Sequence, residues 1–464
     1  MTGSASAVLA PSRGPLLARL GEAMRRHRRA IVALQWIVVL FYLVLLTVPA
    51  FMPLPQSGAR ILSNLTLFAQ FAFWGIWWPF VMLSMMLVGR VWCGVLCPEG
   101  ALTEWASRRG LGRAIPRWMR WSGWPFVAFA CTTVYGQLVS VYEYPKAALL
   151  VLGGSTVAAI GVGFVYGRGK RVWCRYLCPA NGVFALLARI APVRFALDEQ
   201  AWKRHAGRAP SVDCAPLLDL RHLRSAGACH ACGRCSGHRG AIHLAARSPN
   251  QEILAARPGD VSSAESVLLL FGVLGLAFGA FQWTLSPWFV AAKLRIAEWL
   301  VDRNWLALLD DSAPWWLLTH YPEANDVFTW LDGLMIVFYI LASALAVGAI
   351  AWLGVAAAAR LVRDARTDWK VLALCLLPLA GTSVFVGLSM LTLGQLRGEG
   401  VTFAWVPAAR AILLGGGAAW ALSLGARRLL AASAPLARRL AALACFAVPP
   451  AFVAGLWCLP LYVW

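Results

Sequence analysis

Long apolar runs separated by short polar segments dominate the chain. A stretch of about 20 mostly apolar residues is needed to cross the hydrocarbon core of a bilayer. Nine runs approach that length: 30–52, 66–88, 122–141, 147–166, 264–288, 329–356, 371–394, 405–425 and 440–461. The third is interrupted by Thr132, Thr133, Gln137 and Ser140. The pattern predicts an all-α polytopic membrane protein of about nine transmembrane helices, with one long polar stretch, 167–263, between spans four and five. Arg25, Arg26, Arg28 and Arg29 precede the first run. That run is of span length and no small-residue cleavage site follows it, so it reads as a first span and not as a cleavable signal peptide.

Composition agrees with the pattern. The chain is 60% hydrophobic and 14% charged, against about 45–50% and about 25% in soluble proteins. That excludes an ordinary soluble enzyme, a disordered chain and a secreted disulfide scaffold. The net charge of +21 would suggest nucleic acid in a soluble protein. Its distribution says otherwise. With the N-terminus inside, 35 of the 42 Lys and Arg fall in cytoplasmic segments, 6 in periplasmic ones, and Arg410 alone within a span. This is the positive-inside bias of a membrane protein, so nucleic acid is not expected as a partner. The expected location is a bacterial inner membrane, with the N-terminus cytoplasmic and Trp464 outside. Many of the 24 Trp cluster near span ends, as interfacial anchors do.

The strongest single feature is an internal repeat. Arg90-Val-Trp-Cys93-Gly-Val-Leu-Cys97-Pro98 recurs 81 residues later as Arg171-Val-Trp-Cys174-Arg-Tyr-Leu-Cys178-Pro179. Each copy follows a pair of predicted spans. Parallel repeats are related by an axis along the membrane normal, which would bring Cys93, Cys97, Cys174 and Cys178 together. Thiolates at i and i+4 share one helical face, and Pro suits the first turn of a following helix. Four soft sulfur ligands suit an iron–sulfur cluster, copper or zinc; a redox dithiol is the other reading.

The polar stretch carries Cys229-His-Ala-Cys232-Gly-Arg-Cys235, three of the four ligands of a bacterial ferredoxin run. The position where that run has its fourth Cys is Arg239, which cannot bind iron. Cys214 is the remaining Cys of the stretch outside the repeat, and one [4Fe–4S] cluster held by Cys214, Cys229, Cys232 and Cys235 is expected. Zinc would also suit this donor set, with His230 or His238 in place of Cys214. Cys131, Cys375, Cys445 and Cys458 stand singly in apolar runs and are expected to be buried packing residues. The seven His all lie outside the predicted spans, so haem b is not expected, and a quinone or a partner's cofactor is the candidate carrier through the membrane. No flavin or nucleotide fingerprint is visible.

These motifs resemble the membrane polyferredoxin family, which includes NapH, the C-terminal part of NosR, and CcoG. The likeness covers about residues 30–245. Cys93, Cys97, Cys174 and Cys178 match its two CxxxCP motifs, and Cys229, Cys232 and Cys235 match a ferredoxin run. It implies an electron-transfer protein working between a quinol pool or cytoplasmic donor and a periplasmic metalloprotein system. The Arg at 239 and the lack of a second complete run depart from the usual two-cluster content. The five further spans and Glu99-Gly-Ala-Leu-Thr-Glu104 are most similar to FtrD, the polyferredoxin of bacterial ferrous-iron uptake systems. That likeness implies a cupredoxin-like oxidase and an iron permease as partners.

The expected organisation is a basic N-terminus (1–29), a four-span repeat (30–198), an iron–sulfur segment (199–263) and a five-span domain (264–464). Two other functions compete with electron transfer. One is a metal-handling protein that binds or reduces iron or copper at the CxxxCP sulfurs. The other is a transporter, for which Asp332 and Arg410 are the intramembrane charges, Arg410 pairing with Asp332 or with carbonyls. The 289–328 segment, with six acids and three bases, reads as a solvated loop.

Overall fold

The computed structural model describes residues 15–56 and 58–464; the first 14 residues of the basic N-terminus lie outside the described residues. Among those described, eight helices are long and apolar enough to cross a membrane: Arg28–Phe51, Leu65–Val88, Pro145–Tyr166, Ser263–Gln282, Trp330–Val362, Leu377–Gly398, Val406–Leu430 and Leu436–Val463. Their outer faces carry bare apolar side chains such as Ile37, Phe338 and Ile412, 65%, 68% and 73% exposed. A soluble protein would not leave such surfaces open, whereas lipid covers them. The fold is an all-α polytopic membrane protein.

The third predicted span falls short of this standard. Its helix, Trp124–Leu138, has 15 residues and so rises about 22 Å against a core of about 30 Å. Its two ends nevertheless reach opposite ends of the bundle. Pro125 packs against Gly182 beside the second Cys motif, while the Leu138 carbonyl accepts the Thr319 amide (2.8 Å) in the loop at the far end.

Three other boundaries differ from expectation. The 371–394 run breaks after Trp369–Leu374, because Pro378 needs the first turn of a new helix. The 264–288 run stops at Gln282, and Ser286 caps a separate helix, Pro287–Asp302. The 289–328 segment is therefore no plain loop: it holds most of that helix and a short hairpin, His320–Tyr321 with Asp326–Val327. Asp332 does not pair with Arg410. It closes a capping box with Thr329 and accepts a 2.7 Å salt bridge from Lys293, so its charge is met at a helix start.

Of the four single Cys, Cys375 is buried and Cys445 half-buried, but Cys131 and Cys458 are exposed on the outer faces of their helices. For the latter two the expected buried packing does not hold: a small apolar side chain costs nothing against lipid.

The polar stretch is pinned by a two-stranded antiparallel ribbon. Val193–Leu197 pairs with Ile242–Ala246, with Leu197 opposite Ile242. The chain between them leaves and returns at one point, and helix Pro15–Arg26 lies on the second strand, with Gly21 against Leu244. Phe195, Leu223, Ile242 and Leu244 form a small apolar core under the Cys-bearing excursion.

Candidate functional site

Both Cys motifs sit at the same end of the bundle, each just after a span. The second Cys of each lies beyond its short helical turn. Trp92–Leu96 is a π-helical turn, Cys97 follows in extended conformation (φ −65°, ψ 119°), and the second turn, Val172–Tyr176, ends before Cys178. The shared helical face expected for i and i+4 is therefore not formed. Pro is the reason: it pushes the preceding residue out of the helical region. What the Pro provides is a new helix start. Pro98 opens Pro98–Arg108, and the Cys97 sulfur accepts the Gly100 amide at 3.4 Å as its N-cap.

The repeats clasp each other through their arginines. Arg171 of the second copy, 1% exposed, donates to the Cys93 carbonyl of the first (2.5 Å) and to Glu104 Oε2 (2.9 Å). Arg90 of the first, also buried, donates to Asn181 Oδ1 beyond the second motif and to the Gly227 carbonyl, both at 2.7 Å. Glu99, next to Cys97 and Pro98, accepts from Trp173 Nε1 at 3.1 Å. Burial, then Cys174 and Cys93, push Cys97 well up; burial pushes Cys174 up to about 12 and Cys178 well above the usual thiol range.

Cys214, Cys229, Cys232 and Cys235 line a second site, a cavity of ≈ 350 Å³ counting its mouth, with Phe195, Leu218 and Leu223 as apolar walls. Sequence spacing alone could not place Cys214, 15 residues before Cys229; the Lys170–Asp213 ion pair and the Arg171 amide bond to the Ala215 carbonyl hold its loop there. Burial and the neighbouring thiols push Cys229 up to about 12 and raise Cys235 further. Arg239 lies away from the sulfurs, stacked 4.7 Å over Trp202. His230 is buried with Nδ1 unpartnered, and burial with Arg90, Arg171 and Arg175 keeps it neutral.

Burial and neighbouring thiols disfavour the thiolate at Cys97, Cys174, Cys178, Cys229 and Cys235, so ionised sulfurs at either set call for a cationic centre among them. Their chemistry fits iron–sulfur ligation, in which thiolates bind different irons of one cluster. Among the described residues, no three His, Cys, Asp or Glu side chains close on one point as a single metal ion requires, so neither the zinc reading nor the mononuclear metal-handling reading gains support from the geometry.

The sites touch. A Cβ at Gly94, between Cys93 and Cys97, would stand 2.8 Å from both Cα and N of Cys232 and still closer to the His230 carbonyl. Glu104 is gripped by Arg171 and, through both its oxygens, by Arg234 (2.5 and 2.7 Å), one of the two residues between Cys232 and Cys235. Burial alone would raise the Glu104 carboxyl, but Arg171 and Arg234 outweigh it and hold it at about 2. The sequence flagged the Cys of both sites but not this clamp. The repeated Arg at 90 and 171, and the acid inside a short interspan segment, were its visible signs.

A family model described as a 4Fe-4S binding domain matches residues 70–120 and 151–197. Each matched segment contains one copy of the repeat motif, and both end before Cys214. The chain thus carries iron–sulfur binding sequence at the repeat. Neither the curated proteins nor the solved structures contain a match.

Proposed function

We propose that this is a membrane-bound iron–sulfur electron-transfer protein in which the repeat Cys and the Cys of the polar excursion hold two adjacent redox sites. The contact of Gly94 with the Cys232 backbone is the observation that carries the reading. A cluster held by such thiolates supplies a reversible one-electron centre. The chain brings the two sets edge to edge and sets Arg90 and Arg171 beside them, where they offset thiolate charge at Cys174. Cys93, Cys97, Cys174 and Cys178 are assigned to one site and Cys214, Cys229, Cys232 and Cys235 to the other, each suited to a [4Fe–4S] cluster.

An apolar cavity of ≈ 920 Å³ within the bundle is lined by Trp78, Thr133, Tyr142, Pro179, Ala180 and Phe281, so that it begins at the residue after Cys178. We assign it to a quinone. Ala180→Phe should then reduce the quinone that copurifies with the protein; unchanged quinone content would remove this assignment. On the sequence resemblance, we further assign the opposite redox partner to a periplasmic metalloprotein system of the kind that supports ferrous-iron uptake.

The test is anaerobic purification with iron and sulfide analysis and EPR of the reduced protein. Groups that act as a unit lose most function at the first deletion. Cys97→Ser and Cys178→Ser should each abolish electron delivery, and the double variant should be hardly worse. Near-wild-type rates in both singles, at matched protein levels, would overturn the reading.

A further inference from the structure

We propose that the basic groove beside the Cys214–Cys235 cavity is the docking surface for a soluble one-electron carrier protein with an acidic face. The inference rests on the electron-transfer reading above. Five arginines from separate parts of the chain line the groove: Arg25 and Arg28 at the entrance to the first span, Arg208 in the excursion, and Arg234 and Arg239 around the ferredoxin-type run. Asp213 is the one acid among its lining residues, and Lys170 neutralises it. Arg234 spends its charge on Glu104, which leaves Arg25, Arg28, Arg208 and Arg239 to set the field.

Arg239 is held flat by its stacking on Trp202. The turn that carries it keeps Gly237 and Gly240 at positive φ, 75° and 64°, and Arg239 itself at 54°, so the guanidinium is presented from a fixed bend. The groove is broad, with ≈ 1070 Å³ of open space, wider than one small anion needs.

Position decides the occupant. Val212 and Arg234 line both this groove and the cavity of the four Cys. Whatever sits in the groove is one layer of side chains from the sulfurs. A phospholipid headgroup would gain nothing from that closeness, whereas a carrier protein needs it. A concave surface of one sign steers an oppositely charged partner and raises its association rate steeply at low salt.

The experiment uses the full-length protein in nanodiscs of phosphatidylcholine, with an acidic ferredoxin as probe and the basic-faced cytochrome c as control, and reads binding by surface plasmon resonance. Ferredoxin should bind with an affinity that falls steeply between low and physiological salt, and cytochrome c should not bind. Arg208→Glu, a change at an exposed side chain, and Arg25→Glu should each weaken ferredoxin binding on the order of tenfold at low salt. Salt-insensitive binding, or unchanged affinity in both variants, would overturn the proposal. So would variants that keep ferredoxin affinity but lose retention on phosphatidylglycerol vesicles, since the groove would then belong to the lipid surface. EPR and iron content of the same samples judge the iron–sulfur reading separately, because docking does not depend on the redox sites being filled.

Discussion

Glu104, 6% exposed at its side chain, has Arg171 and Arg234 against its oxygens and Arg108 at 3.4 Å. Removing one partner of a buried pair leaves uncompensated charge and costs about 3–5 kcal/mol, so Glu104→Gln should lower the unfolding midpoint markedly. The wild-type carboxyl titrates at about 2 in the folded protein, below the ordinary value of 4.5. Its contribution, on the order of 3 kcal/mol, is full above the ordinary value and is lost as pH falls from about 4.5 towards 2. Stability measured over that window should therefore fall less steeply in Glu104→Gln than in wild type; equal slopes would refute the clamp. For the sulfurs, Cys232→Ser and Cys214→Ser should each remove the EPR signal assigned to the excursion site, and a signal that survives Cys214→Ser would exclude it as a ligand. Seven of the eight Cys were flagged by short local spacing, which metal ligation favours, and Cys214 only by elimination. Glu104 was not: beyond the local Arg108, its partners Arg171 and Arg234 lie 67 and 130 residues away, and nothing in the sequence marks such distant pairing.

The decisive contact between elements is the first motif's π-helical turn against the ferredoxin-type loop. Backbone atoms crowd Gly94, and they cannot swing aside as a flexible side chain would. Gly94→Val should push the loop away, lowering iron content at the excursion site while the spans stay assembled. Wild-type iron content and EPR in that variant would show that the contact carries nothing. Helices of this chain were readable mostly to within a few residues because hydrocarbon demands long apolar runs. The exceptions have local causes: Pro378 breaks one run, and Ser286 with Pro287 starts the unexpected helix Pro287–Asp302. The extended Cys97 was missed because a regular helix was assumed across a residue that precedes proline.

At the scale of the whole molecule, the first and last described helices reach opposite ends of the bundle. Arg25 stands by Gly237 of the Cys-bearing excursion, while Trp464 packs edge-on against Trp288, just beyond the far end of Ser263–Gln282. An odd number of crossings connects them, so the short helix Trp124–Leu138 counts as a crossing beside the eight long ones. Alkaline phosphatase fused after Trp464 should be active and fused after Pro249 inactive; the reverse would invert the proposed orientation. The clasp of the two cysteine sites also has a consequence for biosynthesis. Its named partners, Gly94, Glu104, Arg171, Asn181, Gly227 and Arg234, all precede Ser263, where the C-terminal spans begin. The ribosome has therefore delivered these partners before the C-terminal spans exist. Chains stalled at Trp369 should then already shield Cys229 from alkylation under iron-replete conditions; alkylation equal to that of iron-starved chains would refute this order.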